Sequence, residues 1–94
     1  MRLLFRVEDV FEIAGRGCVL APVIPEGLDF RIRTDDQIQL RTPNGRMLET
    51  HIASIELLKP RDGGPCRTAI MLPRDLVKMD VPTGTEVWFV NANE

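Results

Sequence analysis

Two short apolar runs lie on either side of Gly15-Arg16-Gly17, and this arrangement constrains the fold more than any other feature of the sequence. The first run covers residues 10–13 and the second covers residues 18–24. Glycine tolerates the positive φ values of tight turns, whereas the residues on both sides are typical of β-strands. The pattern therefore predicts two β-strands joined by a tight turn.

The apolar period stays at two rather than 3.6 wherever it is clear in the rest of the chain. It predicts half-buried strands around residues 30–32 and 38–40. The next feature is Thr42-Pro43-Asn44-Gly45, in which Asn-Gly is typical of a type I′ hairpin turn because both residues adopt positive φ. The apolar residues of segment 47–58 also fit a helical spacing, but its β-branched residues and the preceding hairpin favour a strand.

Further strands are predicted over residues 68–72 and 87–90, and one helical turn over residues 74–79. About seven short strands without a long helical period indicate an all-β protein that forms either a small barrel or a sandwich. Of the two, we predict a small closed or partly open antiparallel β-barrel of about six to seven strands. Ninety-four residues suffice for one such domain and leave no room for a second, so residues 1–94 are interpreted as a single barrel.

The composition is that of a soluble globular protein, with 44% hydrophobic residues and a mean hydropathy of −0.07. No apolar run approaches the ~18 residues that span a bilayer, and the first residues lack the long apolar core of a secretory signal. We therefore expect a cytoplasmic protein without a membrane partner. The net charge of −2 argues against a surface that attracts nucleic acid everywhere, but it allows a local basic patch.

The residue types used in catalysis are present, but not in the patterns that catalysis requires. His51 is the only histidine, and no nucleophile motif surrounds Cys18 or Cys66. These three residues also lack the pair spacing of metal sites. Without an export signal, we expect two reduced thiols rather than a disulfide. The sequence therefore predicts a protein that is not an enzyme and that needs no metal or other cofactor.

Three segments carry a resemblance to a known family: Glu8-Asp9-Val10-Phe11, the turn Gly15-Arg16-Gly17, and Ser54-Ile55-Glu56-Leu57. Together with residues 68–72 and 81–88, which follow in matching order, they resemble the second, β-barrel domain of translational GTPases such as elongation factor Tu. The resemblance extends over essentially the whole chain. It implies the same kind of small β-barrel, standing here without the GTP-hydrolysing domain.

The resemblance implies the fold of the family but not its enzymatic activity. The chain has no Gly-x-x-x-x-Gly-Lys-Ser/Thr phosphate loop, so we expect neither GTP binding nor GTP hydrolysis. Pro22 and Val23 stand where the family usually has a glycine and a basic residue. Gly15-Arg16-Gly17 lacks the third glycine and the following helix of a dinucleotide-binding loop, so we interpret it as a turn.

The resemblance also implies an RNA site at Glu56 and Arg67. In elongation factor Tu, the glutamate that corresponds to Glu56 lies near the terminal adenosine of aminoacyl-tRNA. Arg67 falls near the position of a polar residue that lies close to the aminoacyl pocket of that family. A carboxylate accepts hydrogen bonds from ribose hydroxyls, and an arginine stacks on a base or binds a phosphate. Glu56 and Arg67 are thus candidates for contacting a tRNA acceptor end or a ribosomal component.

A second hypothesis concerns protein binding. Val19, Ala21 and Val23 alternate with other apolar residues, so this strand is expected to be apolar on both faces. One face lines the core, and the other is covered either by loops of the same chain or by a partner. These three residues are therefore candidates for docking a separate protein or a second copy of the chain, and the residues alone leave both hypotheses open.

Overall fold

The structure is a computed structural model that describes residues 1–22, 24–25, 27–65 and 67–90. In these residues the chain forms eight β-strands and one short 3₁₀ helix, Lys78–Asp80. The strands are β1 (Arg2–Arg6), β2 (Asp9–Ile13), β3 (Gly17–Ala21), β4 (Gln37–Arg41), β5 (Met47–His51), β6 (Ser54–Leu58), β7 (Arg67–Leu72) and β8 (Glu86–Phe89). No helix in the described part of the chain has the length and apolar character needed to cross a membrane.

The strands form two antiparallel four-stranded sheets, in the orders β1-β8-β4-β5 and β2-β3-β7-β6. Only two residues separate β1 from β2, and two separate β5 from β6. Each of these segments therefore leaves one sheet at its edge and enters the edge of the other, which makes two corners of the fold. Val7 and Ile52 lie at these corners with exposures of 2% and 0%.

The backbone stays hydrogen-bonded where the chain passes from one sheet to the other. At the first corner the amide of Val7 donates to the carbonyl of Thr85 at 2.8 Å, and at the second the amide of Ile52 donates to the carbonyl of Asp36 at 2.9 Å. A buried amide without a partner would destabilise the fold, so these bonds allow two apolar side chains to enter the core at the bends.

The hydrophobic core lies between the two sheets. Its best buried apolar residues come from both sheets and from the corners: Val7, Cys18, Leu20, Ile38, Leu40, Ile52, Ile70, Leu72, Val81 and Val87. The segment between β3 and β4 covers one side of this core, where the ring of Phe30 stacks on that of Phe89 with 4.7 Å between centroids. Removal of this apolar surface from water is the main stabilising contribution to such a fold.

The all-β prediction is confirmed, but the predicted barrel needs correction. The two sheets are not closed into one barrel, so the closed form is wrong. The described residues form eight strands rather than six or seven, since Ile52 and Ala53 divide the predicted strand 47–58 into β5 and β6. Strand β1 was not predicted, because a bulge between Leu3 and Phe5 interrupts the alternation on which the prediction depends.

Two other local predictions are only partly right. Residues 30–32 form a loop rather than a strand, although Phe30 and Ile32 pack against the core as an apolar pattern implies. The helical turn expected over residues 74–79 lies later, at Lys78–Asp80. Its first amide is fixed from outside, by a 3.0 Å hydrogen bond to the carboxylate of Glu12. Tertiary contacts therefore decide where this turn begins.

The hairpin between β4 and β5 is confirmed, but its turn is not of type I′. The amide of Gly45 donates to the carbonyl of Thr42 at 3.1 Å, which places Pro43 and Asn44 at the two central positions. Gly45 has a φ of +91°, and Asp35 is the only non-glycine residue with positive φ in the described chain. Proline holds φ near −65°, so Pro43 excludes the primed turn and leaves the left-handed conformation to Gly45.

Candidate functional site

The side of the β2-β3-β7-β6 sheet that faces away from the core, here called the outer face, brings the predicted site residues together. Alternate side chains of a strand point to the same side, and the strand register aligns Phe11 with Val19, Val19 with Met71, and Met71 with Ser54. The outer face therefore consists of Phe11, Ile13, Val19, Ala21, Ser54, Glu56, Leu58, Arg67, Ala69 and Met71.

Both hypotheses drawn from the sequence concern this one face. Glu56 lies opposite Ala69, and Arg67 lies opposite Leu58, so the two predicted RNA-binding residues occupy neighbouring strands. The predicted docking residues Val19 and Ala21 lie on the same face, whereas Val23 is outside the described residues. The structure thus brings Glu56 and Arg67 close to Val19 and Ala21, which are far from them in sequence.

An apolar groove of about 390 Å³ runs along the outer face. Its lining residues are Phe11, Ile13, Val19, Leu20, Ala21, Pro22 and Leu58. Phe11 and Leu58 are 55% and 42% exposed, whereas Val19 is only 8% exposed and forms part of the floor. The exposed apolar surface therefore belongs mainly to β2 and β6, and the strand that the sequence indicated supplies the floor between them.

Val19, in the floor of the groove, packs closely against residues of the same chain. Val19, Ala69 and Met71 form a small apolar cluster separate from the main core, and all three are at most 8% exposed. Close to this cluster the guanidinium of Arg16 reaches from the turn between β2 and β3 to the carboxylate of Glu56 on β6. Although β3 is apolar on both faces, Val19 therefore leaves little apolar surface for a partner to bury.

The carboxylate of Glu56 is held by two donors. Nη2 of Arg16 lies 3.2 Å from Oε1 and 3.3 Å from Oε2, and the hydroxyl of Ser54 donates to Oε2 at 2.7 Å. The side chain of Glu56 is 21% exposed and that of Arg16 is 55% exposed. Because a carboxylate offers about four lone-pair positions, Oε1 can still accept a hydrogen bond from a ligand.

Glycine residues at the turn between β2 and β3 place Arg16 where it can reach Glu56. The amide of Arg16 donates to the carbonyl of Ile13 at 2.9 Å, which closes a tight turn with Gly15 at a φ of +76°. Gly17 has a φ of +144°, and a Cβ atom there would lie 2.3 Å from the carbonyl oxygen of Leu72. The two glycines therefore permit both the reversal of the chain and the close approach of β3 to β7.

Several residues of the outer face were missed in the sequence. Phe11 and Ile13 could have been found, because Asp9, Phe11 and Ile13 share one side of a strand in which Val10 points inward. The ion pair between Arg16 and Glu56 carries no such signal, since 40 residues separate the partners. It depends on the order of the strands, which local patterns do not specify.

Of the residues considered for nucleophilic catalysis, the two that the structure describes, Cys18 and His51, lie in different sheets. The thiol of Cys18 is free, 2% exposed and within 3.5 Å of the carbonyl oxygen of Leu76, to which it donates. Burial raises the pKa of this thiol, and the carboxylates of Glu12 and Asp80 raise it further, which disfavours the reactive thiolate. His51 is exposed at the end of β5 in the other sheet, and Cys66 lies outside the described residues.

No three His, Cys, Asp or Glu side chains converge in the described part of the chain, so these residues form no metal site.

Comparison with known proteins adds no further assignment. No family model matches the chain, and no curated protein or solved structure matches it.

Proposed function

We propose that this chain is a non-enzymatic binding module, related to the β-barrel domain of translational GTPases, that binds the unpaired end of an RNA on its outer face. The observation that carries the proposal is that Glu56 lies on the same face as the apolar groove, two residues along β6 from Leu58 in its lining, with Arg16 paired to it and Arg67 on the neighbouring strand. An apolar surface, a hydrogen-bond acceptor and flanking cations are what recognition of a single nucleotide requires.

Each group has a distinct part in this proposal. The base packs in the groove against the exposed ring of Phe11, since every base has a π-face that stacks on an aromatic side chain. The ribose lies next to Glu56, whose Oε1 accepts a hydrogen bond from a hydroxyl. Arg67 is exposed at the beginning of β7 and supplies a positive charge at that end of the face.

The size of the groove favours a small group over a folded partner. A volume of about 390 Å³ lies at the lower end of the range of small-molecule sites, roughly 300–1,000 Å³. A stable protein interface involves about 20–30 residues on each side, whereas seven residues line the groove. Few phosphates can be neutralised by a chain with a net charge of −2, so we expect weak and salt-dependent RNA binding.

The test is a titration of ¹⁵N-labelled protein with a short single-stranded RNA that ends in CCA. Amide shifts are expected to change around Phe11, Glu56 and Arg67 and to weaken as salt is added. Glu56→Gln should lower the affinity about tenfold, because it weakens one hydrogen bond to a charged acceptor. The matched control is Glu49→Gln, an exposed glutamate on β5 of the other sheet, which should leave the affinity unchanged.

The ribose contact has its own control. An RNA that ends in a 2′,3′-dideoxynucleotide should bind the natural protein and Glu56→Gln equally, since it lacks the hydroxyls that Glu56 would accept from. Absence of any shift change at millimolar RNA and low salt would refute the proposed function. Equal losses of affinity with Glu56→Gln and Glu49→Gln would refute the part assigned to Glu56.

A second candidate function is the docking of a protein through the same groove. It is favoured by the 55% exposure of Phe11 on β2, which is an edge strand of its sheet. The partner in this case is another component of translation or a second copy of the chain. Phe11→Ser should abolish either kind of binding, whereas Glu56→Gln should weaken only RNA binding. Self-association is measured by sedimentation equilibrium, and a monomer at high concentration would exclude the second copy.

A further inference from the structure

A second cavity adjoins the apolar groove at the turn between β2 and β3. It has a volume of about 490 Å³ and lies between this turn and the segment that follows β7. Ile13, at the end of β2, is the one residue that lines both the groove and the cavity, so the two depressions are neighbours at this end of the sheet.

Two arginines line the cavity, and they differ in the hydrogen bonds that their guanidinium groups already make. Arg16 lines it while pairing with Glu56, and Arg74 lines it from the opposite segment. Nη1 of Arg74 donates to the carbonyl of Gly15 at 3.4 Å. A guanidinium has five N–H donors, so this single long bond leaves Arg74 with the capacity to bind an anion.

One carboxylate, that of Glu12, also lines the cavity. Its Oε1 accepts a hydrogen bond from the backbone amide of Lys78 at 3.0 Å. The negative charge of Glu12 opposes that of a bound anion, so an anion is expected to bind next to the two guanidiniums and away from Glu12. Planar guanidinium groups match the geometry of phosphate oxygens, which they bind in bidentate fashion.

We propose that this cavity is a phosphate subsite, in which Arg74 and Arg16 bind the 5′-phosphate of the nucleotide whose base occupies the groove. The proposal rests on the proposed function, because the groove supplies the rest of the binding. It also couples the two depressions. When Arg16 turns from Glu56 to the phosphate, the carboxylate of Glu56 becomes free to accept hydrogen bonds from the ribose.

The experiment compares adenosine, adenosine 5′-monophosphate and adenosine 3′-monophosphate by NMR titration of the ¹⁵N-labelled full chain at low salt. The 5′-monophosphate should bind about tenfold more tightly than adenosine, because it gains charge-assisted hydrogen bonds. The 3′-monophosphate should bind no more tightly than adenosine, since its phosphate lies towards Glu56. Only the affinity for the 5′-monophosphate should fall steeply as salt is added.

The variant Arg74→Ala should remove the advantage of the 5′-monophosphate and leave the affinity for adenosine unchanged. Arg74→Lys should retain part of the advantage, because it keeps the charge but not the fork of donors. Arg61→Ala is the matched control, an exposed arginine in the loop between β6 and β7. Arg74 is exposed, so its variants should keep the ¹⁵N spectrum of the natural fold.

The outcomes separate the two proposals. If adenosine and the 5′-monophosphate bind equally, or if Arg74→Ala weakens both to the same extent, the phosphate subsite is refuted while nucleotide binding in the groove stands. If neither ligand binds and the CCA-ended RNA also fails to bind, the proposed function is refuted and the phosphate subsite with it. If only the 5′-monophosphate binds, loss of binding in Arg74→Ala supports the subsite and retention of binding overturns it.

Discussion

The close approach of β3 to β7 at Gly17 makes the substitution Gly17→Ala the most direct test of the fold. Gly17 has a φ of +144°, a conformation that is essentially restricted to glycine. An added Cβ would lie 2.3 Å from the carbonyl oxygen of Leu72, far inside van der Waals contact. The alanine can be accommodated only if the backbone turns to negative φ or if β3 moves away from β7.

The expected loss of stability in Gly17→Ala follows from these two effects, backbone strain and atomic overlap. Backbone strain of this kind costs about 1–3 kcal/mol. The displacement that relieves an overlap in a packed region costs about a further 1–3 kcal/mol. We therefore expect Gly17→Ala to lower the free energy of unfolding by about 2–6 kcal/mol. Domains of this size have about 5–14 kcal/mol in total, so the variant should be severely destabilised.

Gly15→Ala is the matched control for the contribution of the clash. Gly15 also has a positive φ, +76°, but no atom lies within 4 Å of the position that its Cβ would take. Gly15→Ala should therefore lower the free energy of unfolding only through the strained backbone conformation, by about 1–2 kcal/mol. Both free energies are measured by urea unfolding followed by the fluorescence of Trp88. Equal costs for the two variants would refute the reasoning, because the overlap with Leu72 would then contribute nothing.

Three further predictions concern the core and two titratable groups. Ile52→Ala should lower the free energy of unfolding by about 2–5 kcal/mol in the same urea assay, because this side chain is completely buried at a corner. A loss of stability below about 1 kcal/mol would contradict this packing. Burial raises the pKa of Cys18 above its usual value of 9.0, so the folded state favours the thiol and stability should be lost as pH rises beyond about 9. Cys18→Ala should reduce this loss in denaturation curves at pH 8 and pH 10, and an unchanged loss would mean that another group causes it. Trp88→Phe should raise the pKa of Glu86 in a ¹³C NMR titration, because the indole N–H that donates to this carboxylate at 3.0 Å is the main cause of its lowered pKa. An unchanged pKa would show that the hydrogen bond from Arg6 is enough to keep it low.

Local patterns predicted strands in two ways. The alternation at residues 38–40 predicted β4, and the short apolar runs on either side of a glycine turn predicted β2 and β3. Strand β1 was missed because its bulge turns both Leu4 and Phe5 towards the core, which removes the alternation. The break at Ile52 was missed for the opposite reason, since a buried residue at a corner continues the apolar pattern of a strand.

The candidate site was only partly predictable from the sequence. Glu56 and Arg67 were identified through a resemblance to a family, and the structure places both on the outer face. The pairing of Glu56 with Arg16 could not be predicted, because it depends on β7 lying between β3 and β6. Strand order of this kind results from long-range contacts that a local pattern does not record.

The sequence by itself determined that the chain forms β-strands, that it reverses at Gly15-Arg16-Gly17, and that β3 is apolar on both sides. The tertiary structure decided which residues are exposed. It buries Val19 and Met71 in a small apolar cluster with Ala69 and leaves Phe11 exposed beside the groove. The physical reason is that an alternating pattern distinguishes the two faces of a strand only when one of them is polar. Where both are apolar, the neighbouring strands decide which surface remains open to a ligand.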